Sequence, residues 1–195
     1  MSLRRSRAGE PAEPSRRTTT GPTTAQILRH GDHGLGELDD GHGDFVVVRG
    51  RCFTLASDAS AVQTDRRTRA TSAAVTRFRP EHRMTVRRPH SLAQLLPHIE
   101  LALADNAAVA ALRIDGWFSF VRVQVAGVAP SHEFSDVMGT IVGFRNADVG
   151  ADDSNRALRL HFIDERRQIG GRVADFELLR AHAELARVAP VSPRA

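Results

Sequence analysis

With 195 residues, of which 41% are hydrophobic, the chain is long enough for one domain with a buried core or for two small domains. No apolar run approaches the roughly 20 residues that a membrane helix needs, which excludes a helical membrane protein. The single cysteine, Cys52, excludes an internal disulfide bond. No apolar stretch follows Arg4 and Arg5, so no secretory signal is expected and the cytoplasm is the location that we predict.

The net charge of +4 and the pI of about 10.9 raise the question of a nucleic-acid partner. All 27 basic residues are arginine, and many of them fall in two segments, residues 4–17 and residues 66–69. No aromatic residues are interleaved with either segment, so a platform for stacking bases is absent. Nucleic acid is therefore not the partner that we expect.

The first part of the chain predicts a tail and then strands. Residues 1–24 are rich in Arg, Pro, Ser and Thr, which predicts a disordered tail, and residues 25–190 are assigned to a single domain. Phe45–Val48 and Cys52–Leu55 predict a β-hairpin, and Ala74–Phe78 predicts a third strand. A turn-rich segment is predicted from the glycines Gly31, Gly34, Gly36, Gly41 and Gly43.

The middle of the chain predicts one main helix. Ser91 and Gln94 have the spacing of a capping box, which predicts a helix that runs toward Asn106. Pro97 lies inside it and is expected to kink the helix or to delay its start. The apolar stripe of this helix consists of Leu92, Leu95, Leu96, Ile99 and Leu103.

Strands dominate the second half. Val109–Ile114 and Phe118–Val125 flank Asp115-Gly116, which predicts a hairpin with a tight turn. Three further strands are predicted at Thr140–Phe144, Leu158–Ile163 and Val173–Leu178. Because strands outnumber helices, the predicted fold class is α+β, with a mixed, mostly antiparallel β-sheet and one main helix.

Three segments resemble the signature motifs of the α-acetolactate decarboxylase family, in the order of that family. Gly139–Phe144 resembles GT(L/I)VGF, and Leu160–Ile163 followed by Gly170-Gly171 resembles HxHFI…GGH. Asn106–Phe120 resembles the segment that contains RIDG. Weaker matches are Gly34–Gly36, Gly43-Asp44 and Ala74–Phe78. The resemblance implies the family fold and the conversion of 2-acetolactate to acetoin and CO2. It also implies a zinc ion on three histidines, with a glutamate and an arginine that act on the substrate.

This sequence departs from the family pattern at the residues that matter most. Two of the three zinc-ligand positions are occupied by Arg159 and Arg172, and only His161 is retained. Asp44 stands at the family's glutamate and Gln124 at its arginine. A guanidinium group offers no lone pair to a metal, so we predict a degenerate metal site and no zinc cofactor.

Side-chain alternation adds to the resemblance. Arg159 and His161 share one face of their strand, and Arg122 shares a face with Gln124, so that Arg122 could supply the missing cation. A metal site rebuilt from His42, Asp44 and His161 is the alternative. Val125 to Gly139 is predicted to be a loop, shorter than the resemblance leads us to expect, so that one wall of the pocket is missing. The family's C-terminal segment, which carries another carboxylate, has no evident counterpart.

Three functions stay open at this point. The first is a family decarboxylase with weak or lost activity, with Asp44, Gln124 and Arg122 as the candidate catalytic residues. The second is a non-catalytic homologue that binds a small carboxylate metabolite through Arg159 and Arg172 beside His161. The third is a protein associated with nucleic acid, because the HxH…GGH pattern also resembles the PPC domain. A homodimer is considered as the assembly, and no membrane partner is expected.

Overall fold

The computed structural model describes residues 21–39, 43–102, 109–125, 128–146 and 158–188 of the chain. The described helices are α1 (Thr24–His30) and α2 (Leu92–Ala102). The described strands are β1 (His33–Leu38), β2 (Asp44–Val48), β3 (Arg51–Leu55), β4 (Ala61–Gln63), β5 (Ala70–Thr76), β6 (His82–Val86), β7 (His90–Ser91), β8 (Val109–Val125), β9 (Val128–Asn146), β10 (Leu158–Asp164) and β11 (Gly170–Val188).

The strands form two sheets. The five-stranded sheet has the order β4-β3-β2-β1-β5, and the six-stranded sheet has the order β10-β9-β8-β11-β6. Strand β7 pairs with β11, and β10 pairs with β11 as well as with β9, so the strands β8 to β11 close on themselves. The pairings between the described strands are antiparallel. The predicted α+β class is confirmed, with α1 as a second, short helix.

The two sheets pack face to face through a shared apolar core. Leu35 and Val46 of the five-stranded sheet are buried together with Val142 and Ile163 of the six-stranded sheet. A second core fills the inner side of the closed strands and includes Leu160. On β10, therefore, the odd-numbered residues face the five-stranded sheet, as strand alternation requires.

The prediction of a tight turn at Asp115-Gly116 is wrong. Both residues lie inside the continuous strand β8, where Gly116 pairs with Gly139 of β9 on one side and with Ala181 of β11 on the other. A Cβ atom at Gly116 would lie 2.6 Å from the carbonyl oxygen of Arg180. The glycine therefore permits close approach of two strands, a role that glycine also plays inside sheets.

Two glycines of the segment predicted to be turns lie in a strand instead, whereas Gly31 and Gly43 lie outside the strands. Gly34 and Gly36 lie in β1, and a Cβ atom at Gly36 would meet the carbonyl oxygen of Ser72 at 2.1 Å. The segment from Val125 to Gly139 is likewise mostly strand, because β9 begins at Val128 and pairs with β8. The third strand of the sequence analysis is shifted, since β5 ends at Thr76.

Other local predictions are confirmed. Strands β2 and β3 form the expected hairpin. The backbone N–H of Ser91 donates to Oε1 of Gln94 at 2.9 Å, and the backbone N–H of Gln94 donates to Oγ of Ser91 at 3.3 Å, as a capping box requires. Helix α2 begins at Leu92, so Pro97 does not delay its start. The predicted continuation of the helix beyond residue 102 lies outside the described residues.

The predicted tail, residues 1–24, is described only from Gly21. The carbonyl oxygen of Pro22 accepts from the N–H of Ala70, and Thr23 caps helix α1. Residues 21–24 are thus bonded to the domain, whereas residues 1–20, like 189–190 at the other predicted boundary, lie outside the described residues. None of the described helices has the length and apolarity that a membrane span requires.

Candidate functional site

Two directly opposed residue pairs face each other between the sheets. On the five-stranded sheet, Glu37 of β1 pairs with Asp44 of β2. On the six-stranded sheet, His161 of β10 pairs with Arg172 of β11, and Arg159 lies two residues before His161 on the same face. Residues paired in antiparallel strands project to the same side. The packing of the sheets therefore brings two carboxylates against a histidine and two arginines.

These five side chains form the arginine–carboxylate cluster, which is tied together by hydrogen bonds. Nε2 of His161 and Oδ2 of Asp44 are 3.1 Å apart, and Nη2 of Arg172 donates to Oδ1 of Asp44 at 3.3 Å. Nη2 of Arg172 and Nη2 of Arg159 both approach Oε1 of Glu37 at 3.5 Å. One guanidinium, that of Arg172, thus connects the two carboxylates.

The cluster has a buried end and an exposed end. The side chains of His161 and Asp44 are 0% and 2% exposed, whereas those of Arg159, Arg172 and Glu37 are 35%, 39% and 47% exposed. Ion pairs at the buried end are stronger and more costly to break than those at the exposed end. The Asp44–His161 pair is therefore the fixed part, and the arginine–Glu37 contacts are the adjustable part.

Burial sets the protonation states at the fixed end. It would raise the pKa of Asp44, but the hydrogen bond from His161 and the charge of Arg172 outweigh it and hold that pKa below its usual value. Burial lowers the pKa of His161; Asp44 opposes this shift, and Arg172 and Arg159 add to it. Nδ1 of His161 is buried and has no hydrogen-bond partner among the described residues, consistent with a neutral ring protonated on Nε2. Near neutral pH, two arginines then balance two carboxylates.

The residues of the cluster do not fit a zinc ion. Arg159 and Arg172 have no lone pair to donate, and Nε2 of His161 is engaged by Asp44. Within the described ranges, no group of three or more His, Cys, Asp or Glu side chains is arranged to hold a metal. The rebuilt site from His42, Asp44 and His161 stays a hypothesis, because His42 lies outside those ranges.

The two remaining candidates lie on β8. Gln124 is paired with Arg172 in the sheet, and its side chain is exposed at the edge of the cluster. Arg122 donates to Oε2 of Glu133 through Nε at 3.2 Å and Nη2 at 2.9 Å, so its charge is engaged outside the cluster. The structure therefore brings Asp44, Arg159, His161 and Arg172 together, sets Gln124 beside them, and directs Arg122 elsewhere.

Sequence reasoning missed Glu37. Two residues before it, Leu35 is fully buried between the sheets, and alternation along β1 places Glu37 on that same face. Side-chain alternation in the sequence could have identified Glu37. The glycines on either side of Leu35 instead favoured an interpretation of this segment as turns. Glu37 supplies a carboxylate at the open side of the cluster.

The family model for alpha-acetolactate decarboxylase matches residues 17–193. The chain belongs to the alpha-acetolactate decarboxylase family. Among curated family members, that of Methanosarcina mazei is 29% identical over 175 residues, covering 83% of this chain and 61% of the relative. That of Methylococcus capsulatus is 28% identical over 177 residues, covering 84% and 68%. The chain thus spans about three fifths to two thirds of the length of these relatives.

Solved structures support the family assignment. The alpha-acetolactate decarboxylase of Bacillus subtilis strain 168 superposes with a TM-score of 0.74 and 25% identity, covering 88% of this chain and 82% of that chain. A Staphylococcus aureus protein of unknown function, described as similar to alpha-acetolactate decarboxylase, gives a TM-score of 0.78 at 20% identity, covering 85% and 77%. The second likeness concerns the fold alone.

Proposed function

We propose that this family member has lost zinc-dependent decarboxylation of acetolactate and binds a small carboxylate at the arginine–carboxylate cluster. The observation that carries the proposal is the convergence of Arg159 and Arg172 on one oxygen of Glu37. Two half-exposed guanidiniums already hold a carboxylate from the protein itself. A free carboxylate has the same chemistry and can form shorter, forked hydrogen bonds with them.

Loss of the family reaction follows from the ligand chemistry of the cluster. Decarboxylation leaves an electron pair on the substrate as an enediolate, and a metal ion, where lone-pair donors held one, would supply the positive charge that stabilises it. In this chain, one histidine and two arginines occupy the three ligand positions. The arginines contribute charge but no coordination bond, and Asp44 and Glu37 already neutralise that charge. The developing enediolate would thus meet a site without net positive charge.

Glu37 acts as an internal competitor in this proposal. Its side chain is 47% exposed, and both of its arginine contacts are at 3.5 Å, so displacing it disrupts only weak surface pairs. Asp44, in contrast, stays in place because it is buried and bonded to His161. A ligand carboxylate would therefore take the position of Glu37 and leave the Asp44–His161 pair intact.

Ligand-dependent melting tests the proposal. The carboxylates acetolactate, pyruvate and citrate are titrated against the melting temperature of the wild type, Arg159→Ala and Glu37→Gln. A ligand of the folded state raises the melting temperature, and this rise should vanish in Arg159→Ala and begin at lower ligand concentration in Glu37→Gln. The exposed arginine variant Arg67→Ala is the matched control and should behave as the wild type. Equal shifts in wild type and Arg159→Ala, or none at all, would refute carboxylate binding.

The remaining predictions of the sequence analysis stay predictions. They are a cytoplasmic location, a homodimer, and the alternative of a protein associated with nucleic acid. The first arginine-rich segment, residues 4–17, lies outside the described residues, so the nucleic-acid alternative gains no support from the fold.

A further inference from the structure

A second region of the molecule concentrates arginine around a cavity of about 870 Å³. The cavity lies between β6, β8, β9 and β11, next to the β2–β3 and β10–β11 turns, and none of the cluster residues lines it. On β11, Arg180 of this cavity is eight positions from Arg172 of the cluster, about 25 Å at the usual rise of a strand. The volume is within the range of about 300–1,000 Å³ that small-molecule sites have.

Positive charge exceeds negative charge in this cavity. Four arginines line it, namely Arg49, Arg87, Arg167 and Arg180, whereas its carboxylates are Asp115 and Glu165. Asp115 is already engaged: it accepts from Oγ1 of Thr140 at 2.7 Å, and its Oδ2 pairs with Nε of Arg113 at 3.3 Å and with Arg49 at 3.4 Å. One carboxylate is thus shared by two arginines, which leaves surplus positive charge.

The side chains of Arg87 and Arg180 make neither an ion pair nor a hydrogen bond within the described ranges, whereas Nη1 of Arg167 donates to the carbonyl oxygen of Asp164 at 3.1 Å. Across the described part of the chain, neither Arg87 nor Arg180 has a carboxylate oxygen within 4.0 Å, in contrast to Arg159 and Arg172 of the cluster. Ala181 pairs with Val86, and this register, continued by one residue, sets Arg180 opposite Arg87. Like charges opposite each other across two strands repel, and an anion between them would remove that repulsion.

The other two arginines also approach each other. Burial lowers the pKa of the Arg167 guanidinium, and the nearby charge of Arg49 lowers it further. Both residues have a positive φ, 50° for Arg49 and 61° for Arg167, a conformation that is uncommon for residues other than glycine. The two turns therefore present their arginines to the same cavity from backbone conformations that need support from the surrounding structure.

An apolar wall adjoins the arginines. Trp117 of β8 pairs with Met138 of β9 on one side and with Arg180 of β11 on the other, so the three side chains share one face of the sheet. Trp117 and Met138 are 41% and 54% exposed, unusual for large apolar side chains. Nε1 of Trp117 donates to Oδ1 of Asp136 at 2.6 Å, which fixes the orientation of the indole ring. A rigid aromatic surface thus lies directly beside unpaired cations.

We propose that this arginine cavity is a second ligand site, which takes a small organic anion with a flat aromatic body and a phosphate group. The aromatic body lies on Trp117 and Met138, and the phosphate lies between Arg180 and Arg87. Arginine suits this role because its forked donors match phosphate oxygens, and because the guanidinium stays charged at all relevant pH values. The site is separate from the cluster, so it does not depend on the function proposed above.

Trp117 makes the test direct, since it is the only tryptophan and the chain has no tyrosine. Its fluorescence is followed while phenyl phosphate, inorganic phosphate or phenol is added to the full-length protein. We expect saturable binding of phenyl phosphate, weaker binding of inorganic phosphate and no saturable binding of phenol. Calorimetry on the same samples measures the affinities independently of the fluorophore.

Three variants identify the residues involved. In Arg87→Gln/Arg180→Gln, phenyl phosphate should bind on the order of tenfold more weakly, because charge-assisted hydrogen bonds are lost. In Arg67→Ala and Arg159→Ala, its affinity should be unchanged. Unaltered affinity in the double variant, or loss of binding in Arg159→Ala, would overturn the proposal. So would a single-stranded oligonucleotide that binds more tightly than phenyl phosphate and competes with it.

Discussion

The arginine–carboxylate cluster and the arginine cavity use the same side chain in opposite ways. In the cluster, Arg172 lies within 3.5 Å of two carboxylates, and the charges cancel. In the cavity, Arg180 has no carboxylate partner within the described ranges and lies beside an exposed tryptophan. Both arginines project from β11, so the difference arises from what the neighbouring strands place opposite them.

This contrast separates structural arginines from arginines that are available to a ligand. Glu37 and Asp44 come from a different sheet from Arg159 and Arg172, and the packing of the two sheets creates their contacts. A ligand must displace an existing partner in the cluster, whereas in the cavity it meets unpaired charge. The first region is thus expected to contribute more to stability, and the second is expected to bind an anion without the displacement of an existing partner.

The largest effect that we expect concerns catalysis. If the cluster is an internally neutralised ion-pair network, acetoin formation from acetolactate should be slower than in an active alpha-acetolactate decarboxylase by on the order of a thousandfold or more. The measurement is the turnover number of the purified protein, made without an affinity tag. A turnover number above roughly 1 per second would contradict the prediction, because it lies in the usual range of enzymes.

Metal analysis of the same preparation is the control. We expect less than stoichiometric zinc, since the guanidiniums of Arg159 and Arg172 have no lone pair to donate to a metal. About one zinc per chain that withstands mild chelation would mean that other residues rebuild the metal site, and the contrast between the two regions would then be wrong.

The next prediction compares the two carboxylates of the cluster. Asp44→Ala removes a buried carboxylate that is bonded to His161 and Arg172, and it should lower the free energy of unfolding by about 3 kcal/mol. Glu37→Gln removes a half-exposed carboxylate and should cost less than about 1 kcal/mol. Urea titration of both variants measures the difference. Equal losses would show that the buried and exposed ends of the cluster are not distinct.

The pH dependence of stability tests the charge balance of the cluster. Two arginines balance two carboxylates only if His161 is neutral. Burial, aided by Arg113, lowers the pKa of a second histidine, His33, from 6.5 to about 4, and the pKa of His161 is lowered for the reasons given above. Below pH 6.5 the unfolded chain takes up protons that the folded chain does not. The free energy of unfolding must therefore fall as the pH drops.

For His33 alone, the loss between pH 6.5 and pH 4 should be roughly 3 kcal/mol. Asp44 acts in the same direction at lower pH, since its lowered pKa gives stability that is lost when the carboxylate is protonated. Urea titrations at several pH values measure the slope. In His33→Gln the slope should be smaller, and the part that remains comes from His161 and, toward pH 4, from carboxylates whose pKa is lowered, such as Asp44 and Glu184. A free energy of unfolding that does not change across this range would show that neither ring is held neutral.

The sequence predicted the fold class and named four of the five cluster residues, all but Glu37, because these predictions depend on local pattern and motif order. Alternation on β10 correctly placed Arg159 and His161 on one face, opposite Leu160. The capping box at Ser91 and the β2–β3 hairpin depend on neighbouring residues and were also predictable. These features need no knowledge of which strand lies next to which.

Glycine misled the prediction where its role was set by tertiary contacts. Asp115-Gly116 and Gly34–Gly36 have the composition of turns, but each is paired on both sides within a sheet. Whether glycine serves a turn or the close approach of strands depends on distant residues such as Ser72 and Arg180. The same error hid Glu37, and the cavity at Trp117 depends on three strands whose register the sequence does not reveal.

The smallest expected effect comes from the most specific comparison of the two regions. In this comparison, arginine is replaced by glutamine at two positions of the same strand, β11. Arg172→Gln removes the cation that bridges Asp44 and Glu37, and it should destabilise the fold by about 1–2 kcal/mol, moderated by the 39% exposure of Arg172. Arg180→Gln removes no ion pair among the described residues and relieves repulsion from Arg87. Its effect should stay within about 0.5 kcal/mol. Anion binding should follow the reverse order, with phenyl phosphate weakened by Arg180→Gln and unaffected by Arg172→Gln. If both variants lose the same stability and the same affinity, the two regions act as one site.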